Sequence, residues 1–298
     1  YYGKIPFGHF SRTFSLKSAT IRLKCSKKLT QKGFPSLRLL FSDSLLVQII
    51  QIFIKILVFP LSCLHYARYE VLQHKQAVQQ ISSQLLYLAK KARAANISVT
   101  IDAEESERLE MSLDIFSKVL SEPELKGWSG LGLAVQAYQK RALSTLHYLA
   151  ELSRAEQCII PIRLVKGAYW DSEIKRAQVN GLDNYPVFTH KSATDLSYLA
   201  CAQFMLSKTG AFYPQFAMHN AHTVAAILTM AKAKPAYELQ RLHGMGEQLY
   251  RQLQTDTQGE IPCRIYAPVG NYQELLPYLV RRLLENGANT SFINQLML

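Results

Sequence analysis

The sequence from about residue 69 onward predicts an α/β fold, most simply a (βα) barrel. Six apolar runs, each short enough for a buried strand, recur mostly about thirty residues apart with helical stretches between them. Both faces of each run are apolar, as expected for parallel strands covered by helices. Polar residues end nearly every run and no GxGxxG turn occurs, which favours a barrel over the alternative, an open doubly wound sheet.

The predicted elements alternate regularly along the chain. Residues 75–95 carry apolar side chains at helical spacing, from Val78 to Ala89, which predicts an amphipathic helix. Further helices are predicted over 139–154, over 194–207 and from about Leu276. The six predicted strands are ISVTID (97–102), LGLAVQAY (131–138), IIPIRLVKG (159–167), AFYPQFAMHN (211–220), ELQRLHGM (238–245) and CRIYAPVG (263–270).

The positive charge of the chain is confined to its beginning. Residues 1–68 hold eleven Lys or Arg and one acid, Asp43, and so carry ten of the twelve net positive charges. Residues 1–44 are also Ser-rich and irregular, with Pro6 and Pro35 breaking any long helix. The charge therefore gives no sign of nucleic-acid binding by the predicted barrel.

Residues 45–64, LLVQIIQIFIKILVFPLSCL, are nearly apolar enough for a transmembrane helix, which needs ~20 apolar residues. Gln48, Gln51 and Lys55 interrupt the run, and Pro60 would kink a helix. A charged side chain at mid-span costs ~2.5–3.5 kcal/mol on insertion scales. The pattern therefore disfavours a membrane span.

The five cysteines of the chain are scattered without CxxC pairing. This argues against a zinc site and against a disulfide framework, and it fits a reducing cytosol. We therefore expect no metal.

Polar and aromatic residues cluster at the carboxyl ends of the predicted strands, where barrel enzymes place their catalytic groups. Taken singly, each has an ordinary explanation, such as capping a helix or packing against a neighbour. Together they predict a pocket rich in arginine and aromatic rings, which suits an anionic ligand and a flat cofactor. These residues include Asp102, Gln136, Arg163, Lys166, Tyr169, Trp170, Gln215, His219, Asn220, Tyr266, Arg281, Arg282 and Glu285.

Seven segments, in order over roughly residues 69–298, closely resemble the proline dehydrogenase domain of the bifunctional proline utilization A family. They are IDAEESERLEMSLD (101–114), QAYQKR (136–141), IRLVKGAYWDSEIKRAQ (162–178), YPQFAMHNAHT (213–223), LHGMGE (242–247), RIYAPVG (264–270) and YLVRRLLENGANTSFIN (278–294). The resemblance implies a distorted (βα)8 barrel that holds FAD noncovalently.

The resemblance also implies a reaction and a substrate site. L-proline would be oxidised to pyrroline-5-carboxylate by hydride transfer to flavin N5. Arg281 and Arg282 would bind the proline carboxylate, since a guanidinium fork meets two carboxylate oxygens side by side. Glu285 would orient an arginine or the substrate ammonium, and the Tyr266 ring would pack against the proline ring.

The cofactor site follows from the same resemblance. Arg163 would lie near flavin N5, where a cation stabilises the electron-rich reduced ring. Asp102 would hydrogen-bond within the substrate pocket and help place the flavin; with Arg163 and Tyr266 it makes up the expected catalytic group. The remaining residues expected to line the FAD are Gln136, Val165, Lys166, Gly167, Tyr169, Trp170, Thr189, Gln215, His219 and Asn220.

The partners that the resemblance implies are L-proline and a membrane quinone that accepts the electrons. We expect a cytoplasmic protein that associates peripherally with the membrane. The chain ends at Leu298, about where the last barrel strand should finish. The aldehyde dehydrogenase domain of the bifunctional enzymes is therefore expected to be missing.

Residues 1–67 depart from the family pattern. Members of the family have a strand before IDAEE that carries a substrate-site lysine, whereas this chain reads FPLSCLHYARYEV (59–71), with Pro60 close to the lysine position. We therefore divide the chain into an aberrant segment, 1–67, and a proline dehydrogenase barrel domain, 68–298. A frameshift is our hypothesis for the first segment; genuine divergence, such as a membrane-contacting extension, is the alternative.

A barrel without its first strand would have two unpaired edges. We therefore doubt the first strand and its preceding helices, and expect poor folding and weak FAD binding. Met218, which replaces a threonine-like residue, removes one hydrogen bond to FAD. An inactive remnant of the domain is thus one alternative function. A basic membrane- or nucleic-acid-binding protein acting through residues 1–44 is another.

The frameshift hypothesis predicts that another reading frame of the coding DNA, upstream of about codon 66, encodes the strand with its lysine. Translating all three frames tests this. If no such strand occurs in any frame, residues 1–67 are a genuine part of the protein.

Overall fold

The structure, a computed structural model, describes residues 48–51, 56–61, 73–231, 236–269, 272–273, 275–276 and 278–282. Its strands are β1 Gln48–Gln51, β2 Ile56–Phe59, β3 Ser98–Ile101, β4 Leu131–Gln136, β5 Ile160–Val165, β6 Phe212–Ala217, β7 Glu238–Leu242 and β8 Cys263–Val269. Its α-helices are α1 His74–Ala94, α2 Leu109–Leu120, α3 Ala142–Glu156, α4 Trp170–Val179, α5 Lys191–Ser207, α6 Ala221–Met230 and α7 Glu247–Asp256. Residues 278–282, here called the C-terminal helical segment, are also helical.

The strands form a closed barrel in chain order. Strands β2 to β8 pair in parallel, each with the next. Strand β1 closes the ring by pairing antiparallel with both β2 and β8. The six predicted strands are all present, so the predicted (βα) barrel is confirmed and the open doubly wound sheet is excluded.

The expectation of a barrel that lacks its first strand is wrong for the described residues. Strand β2 pairs in parallel with β3 over four positions, from Ile56 opposite Ser98 to Phe59 opposite Ile101. Its sequence ILVF is apolar throughout, and Val58 and Phe59 are buried. Pro60 follows directly and cannot donate a ladder hydrogen bond, which suits the end of a strand. Both β1 and β2 lie before residue 68, and the domain boundary proposed there stays a prediction.

The nearly apolar run 45–64 contributes these two strands in its described part. None of the helices in the described part of the chain is long and apolar enough to cross a membrane. Residues 1–44, to which the basic binding alternative was assigned, lie outside the described residues.

The helices cover the outer face of the barrel with apolar side chains. Helix α1 turns Ile81, Leu85 and Leu88 into the main core, as its spacing predicts. All six residues of β4 are buried because one face meets the barrel interior and the other meets helices. Since β2 to β8 run in parallel, their carboxyl ends and the loops after them meet at one end of the barrel.

A buried ion pair joins β7 to β8 inside the fold. The Glu238 carboxylate accepts hydrogen bonds from Arg264 Nε at 2.8 and 2.9 Å and from Nη2 at 2.5 Å. Gln240 Nε2 donates a further hydrogen bond at 2.7 Å. Tyr266 lies two residues beyond Arg264 and so shares its face of β8. The ion pair therefore fixes the strand that carries Tyr266 into the barrel mouth.

Gly132 of β4 has no room for a side chain. A Cβ there would lie 2.4 Å from the backbone oxygen of Pro161 on β5. We predict that Gly132→Ala lowers the free energy of unfolding by about 1–3 kcal/mol, since the backbone of β5 must move. Chemical denaturation measures the difference.

Gly210→Ala is the matched control, because nothing lies within 4 Å of a Cβ at that position. If Gly132→Ala is no less stable than Gly210→Ala, the tight approach of β4 and β5 is not present in the protein.

Candidate active site

A pocket opens at the carboxyl ends of the barrel strands. The space between its lining atoms, including the part that is open to solvent, is about 680 Å³. The residues around it come from the ends of β3 to β6, from β8 and from the C-terminal helical segment. They are Asp102, Ala103, Gln136, Arg163, Val165, Lys166, Ala168, Ala217, Met218, His219, Asn220, Tyr266, Tyr278 and Arg282.

Arg163 is the buried cation of this pocket, with only 3% of its surface exposed. Its guanidinium carbon lies 4.3 Å from the centre of the Tyr266 ring, and its Nη1 lies 3.9 Å from Asp102 Oδ1. Burial alone would lower the pKa of Arg163, but the nearby Tyr266 and Asp102 raise it above its ordinary value. Arg163 therefore stays charged inside the barrel mouth.

Two further arginines come from the C-terminal helical segment. Arg282 lines the pocket, whereas Arg281 and its neighbour Tyr169 are not among the lining residues. The guanidinium of Arg281 lies 5.6 Å from the centre of the Tyr169 ring, and that of Arg282 lies 5.0 Å from the centre of the Tyr278 ring. Both distances are within the range of cation–π attraction. Burial raises the pKa of Tyr169 to about 12, with a further rise from Asp102 that the two arginines oppose. Tyr169 therefore stays neutral near neutral pH.

The loop after β3 places Asp102 beside these cations. The Asp102 amide donates to the Phe59 carbonyl on β2 at 2.9 Å. Gln136, at the end of β4, donates from Nε2 to the Glu104 carbonyl at 2.7 Å. The loop is thus held from both neighbouring strands. Asp102 is the only carboxylate among the described residues that line the pocket.

Lys166 follows β5 and is buried. Its Nζ lies 2.5 Å from Asp195 Oδ1, and Lys191 Nζ lies 2.6 Å from Asp195 Oδ2. Burial alone would raise the pKa of Asp195, but hydrogen bonds from the two lysines lower it below its ordinary value. Asp195 therefore stays ionised and holds Lys166 at the pocket wall.

The residues after β6 have structural partners as well as a place in the pocket. His219 Nε2 accepts a hydrogen bond from the Leu242 amide at 3.0 Å, which ties β6 to β7. Asn220 caps α6 by accepting from the Thr223 amide at 3.0 Å. Met218 is buried, and its carbonyl accepts from the Tyr250 hydroxyl at 2.8 Å.

The structure brings most of the predicted site residues together, but not all of them. Trp170 and Thr189 are exposed, and the Trp170 indole donates to the Phe188 carbonyl at 2.9 Å. Gly167 has a φ of +134° and packs so closely on Tyr138 that a Cβ would lie 2.5 Å from its ring. Gln215 is buried below the pocket. Glu285 lies outside the part of the chain that the structure describes.

Sequence reasoning missed Tyr278 and Asp195, besides the pocket-lining alanines Ala103, Ala168 and Ala217. Tyr278 lies four positions before Arg282, which is the helical spacing that brings two side chains together. Asp195 lies four positions after Lys191 on α5, and the same spacing applies. The spacing of Tyr278 and Arg282 was available in the sequence. The spacing of Lys191 and Asp195 predicts their pairing but not the contact of Asp195 with Lys166, which depends on how α5 packs.

Several buried polar atoms in and below the pocket suit a bound polar ring. Among the described residues, Arg163 Nε, Arg163 Nη1, Gln215 Oε1 and Arg281 Nε have no hydrogen-bond partner. Buried groups of this kind normally have partners, so a ligand that supplies them fits the site. A flavin ring carries acceptors for the arginine donors, and a small carboxylic acid carries two. The residues present therefore fit both FAD and an anionic substrate.

The fold and the pocket define a (βα) barrel with a cationic, aromatic pocket at the carboxyl ends of its strands. The Proline dehydrogenase family model matches residues 14–295. The chain belongs to the proline dehydrogenase family.

Named relatives agree with this assignment. The bifunctional protein PutA of Escherichia coli K12 is 53% identical over 242 residues, which are 79% of this chain and 18% of PutA. Proline dehydrogenase 1 of Caenorhabditis elegans is 27% identical over 228 residues, 72% of this chain and 36% of that protein. The solved structure of Bradyrhizobium japonicum proline utilization A has a TM-score of 0.76 and 53% identity, covering 80% of this chain and 24% of that one. The chain therefore spans about a fifth of the length of its bifunctional relatives.

Proposed function

We propose that this chain binds L-proline in the pocket at the barrel mouth and oxidises it to pyrroline-5-carboxylate. The observation that carries the proposal is the grouping of Arg163, Arg281 and Arg282 on tyrosine rings, with Asp102 opposite Arg163. Membership of the proline dehydrogenase family supports the choice of substrate.

Each group has a role that its chemistry supports. The guanidinium forks of Arg281 and Arg282 bind the substrate carboxylate through paired N–H donors. The Asp102 carboxylate accepts a hydrogen bond from the ring nitrogen, and the Tyr266 ring packs against the apolar ring carbons. With the ring fixed in this way, the carbon next to nitrogen faces the buried side of the pocket, where Arg163 lies. The reaction removes a hydride from the ring carbon next to nitrogen that does not bear the carboxylate. The hydride would go to the cofactor and the proton on nitrogen to water, which leaves a C=N bond.

FAD is the cofactor in this proposal, and when bound it supplies the hydride-accepting N5 atom. Arg163 would stabilise the negative charge that the ring gains on reduction. Gln136, the backbone of Val165, Lys166 and Gly167, and His219 and Asn220 would hold its polar edge. A membrane quinone would then accept the electrons, which requires a cytoplasmic protein that contacts the membrane peripherally. An aldehyde dehydrogenase domain, which the sequence resemblance implies for the full-length enzyme, would consume the product.

A second candidate function is that of a remnant that keeps the fold without catalysis. It is favoured by Pro60, which stands close to the position where the family pattern has a substrate-site lysine. Pro60 directly follows Phe59, whose carbonyl binds the Asp102 amide. The missing ammonium group would therefore have lain near the pocket carboxylate.

Replacing either substrate-binding arginine by lysine tests the main proposal. We expect Arg281→Lys and Arg282→Lys each to raise the KM for L-proline by about 10- to 100-fold, because lysine keeps the charge but loses the paired donors. Proline-dependent bleaching of the flavin absorbance measures the effect. Arg251→Lys, at an exposed position on α7, is the control. An unchanged KM in both pocket variants contradicts the assigned carboxylate site.

Restoring a lysine distinguishes the two candidates. If the protein is a remnant that lost this group, the unaltered chain should not oxidise L-proline, and Pro60→Lys should restore the activity to about tenfold above background through a charge-assisted hydrogen bond. Pro60→Ala controls for removal of the proline ring. Full activity in the unaltered chain, with no gain in Pro60→Lys, excludes the remnant.

A further inference from the structure

Glu173 is a buried carboxylate that the site described above does not use. It lies on α4, one turn after Tyr169, and only 2% of its surface is exposed. Both described hydrogen bonds to the Glu173 carboxylate come from Ser106, in the loop after β3. The Ser106 amide donates to Oε1 at 2.6 Å, and the Ser106 hydroxyl donates to Oε2 at 2.6 Å. A buried carboxylate is costly unless its hydrogen bonds are made, so this contact is strongly constrained.

The position of Ser106 explains why a carboxylate fits there. Ser106 begins the short 3-10 helix Ser106–Arg108, and the amides at the start of such a helix lack partners within it. Glu105, the residue before this helix, does not cap it with its side chain. Glu173 therefore satisfies the first amide from a different element of the barrel.

Other contacts hold the same loop. Arg176, one turn further along α4, lies with Nη1 2.6 Å from Glu107 Oε1. Arg141, at the start of α3, donates to the Ser106 carbonyl and pairs with Glu110 at 2.8 Å. These contacts involve half-exposed side chains, whereas the contact of Glu173 with Ser106 is fully buried. Glu173 is thus the inner attachment of the loop to α4.

The two ends of this attachment lie close in sequence to Asp102, which lines the pocket, and to Tyr169, which lies under Arg281. Ser106 lies four residues after Asp102, and Glu173 lies four residues after Tyr169. The Glu173 amide also donates to the Tyr169 carbonyl at 2.9 Å. The contact therefore fixes the loop that carries Asp102 to the loop that carries Tyr169, and Arg281 stacks on Tyr169.

We propose that Glu173 is a positioning residue that sets the Asp102 carboxylate in the pocket. Through Asp102 it determines the preference for a ring that contains nitrogen. This inference rests on the proposed function, because it assigns Asp102 to the ring nitrogen and the arginines to the carboxylate. It adds a residue outside the pocket and a stated effect on selectivity.

Two ligands separate a positioning role from a general one. L-proline and cyclopentanecarboxylate share a five-membered ring and a carboxylate, but the second has no nitrogen. Displacing Asp102 should weaken the binding of L-proline. It should leave the binding of cyclopentanecarboxylate unchanged, since the arginines still bind the carboxylate of that ligand. A loss of overall stability of the protein would weaken the binding of both ligands equally.

The test compares Glu173→Gln with the unaltered chain through the KM for L-proline and the inhibition constant of cyclopentanecarboxylate. We expect Glu173→Gln to raise the KM for L-proline by about tenfold, because a neutral amide cannot accept two charge-assisted hydrogen bonds. Affinity for cyclopentanecarboxylate should not change. Asp171→Asn removes a carboxylate from the same helix at an exposed position and should match the unaltered chain. The proposal is overturned if the binding of both ligands is weakened equally, or if the binding of neither changes.

Ser106→Ala provides a second route if Glu173→Gln does not fold. It removes only the hydroxyl donor, so the loss of selectivity should be smaller but in the same direction. No change in selectivity in Ser106→Ala would then overturn the proposal.

Hydrogen exchange separates this proposal from the proposed function. In Glu173→Gln the amides of residues 102–108 should exchange faster than in Asp171→Asn, whatever the ligand. If the unaltered chain binds neither ligand, the proposed function fails, and the exchange result alone decides whether Glu173 holds the loop. Unchanged exchange in Glu173→Gln means that it does not.

Discussion

A guanidinium group buried in the barrel mouth constrains everything around it. Removing a cation from water costs several kcal/mol unless neighbouring groups replace the hydration. For Arg163 the replacement comes from the face of the Tyr266 ring and from the Asp102 carboxylate. Both must therefore stay in place, and each depends on a different part of the barrel. Tyr266 is fixed by β8 and its ion pair with β7, and Asp102 by the loop after β3.

The same pairing of arginine with tyrosine recurs across the pocket. Arg281 stacks on Tyr169 and Arg282 on Tyr278. A guanidinium held over an aromatic ring is attracted by the ring face and keeps N–H groups that can donate to an anion. The positive charge is thus concentrated without placing bulky groups between the arginines and a ligand. Such an arrangement favours a small carboxylate over a large neutral molecule.

Closure of the barrel depends on strands β1 and β2, which precede residue 68. Strand β2 supplies an apolar edge for β3, and β1 joins β2 to β8 in antiparallel pairing. Strand pairing needs backbone groups and apolar side chains more than any particular sequence, so ILVF can serve where another strand is usual. A substrate-binding lysine has no such tolerance. The fold can therefore be kept while one group of the site is lost.

Much of the barrel could be predicted from the sequence, since apolar runs such as LGLAVQ and IPIRLV have the length and character of buried strands. The ends of those strands also indicated Asp102, Gln136, Arg163 and Tyr266, because parallel strands bring their carboxyl ends together. The two strands before residue 60 were not predicted. Gln48 and Pro60 weakened the local signal, and their pairing partners are distant in the chain.

Sequence alone determined the order of the strands from β3 onward, the residue types at the barrel mouth and the family resemblance, because these depend on local pattern. Tertiary structure decided which side chains meet. The attachment of Glu173 to Ser106 spans 67 residues, and the stacking of Arg163 on Tyr266 spans more than a hundred. No local pattern encodes either contact, since each depends on how the closed barrel sets its strands side by side.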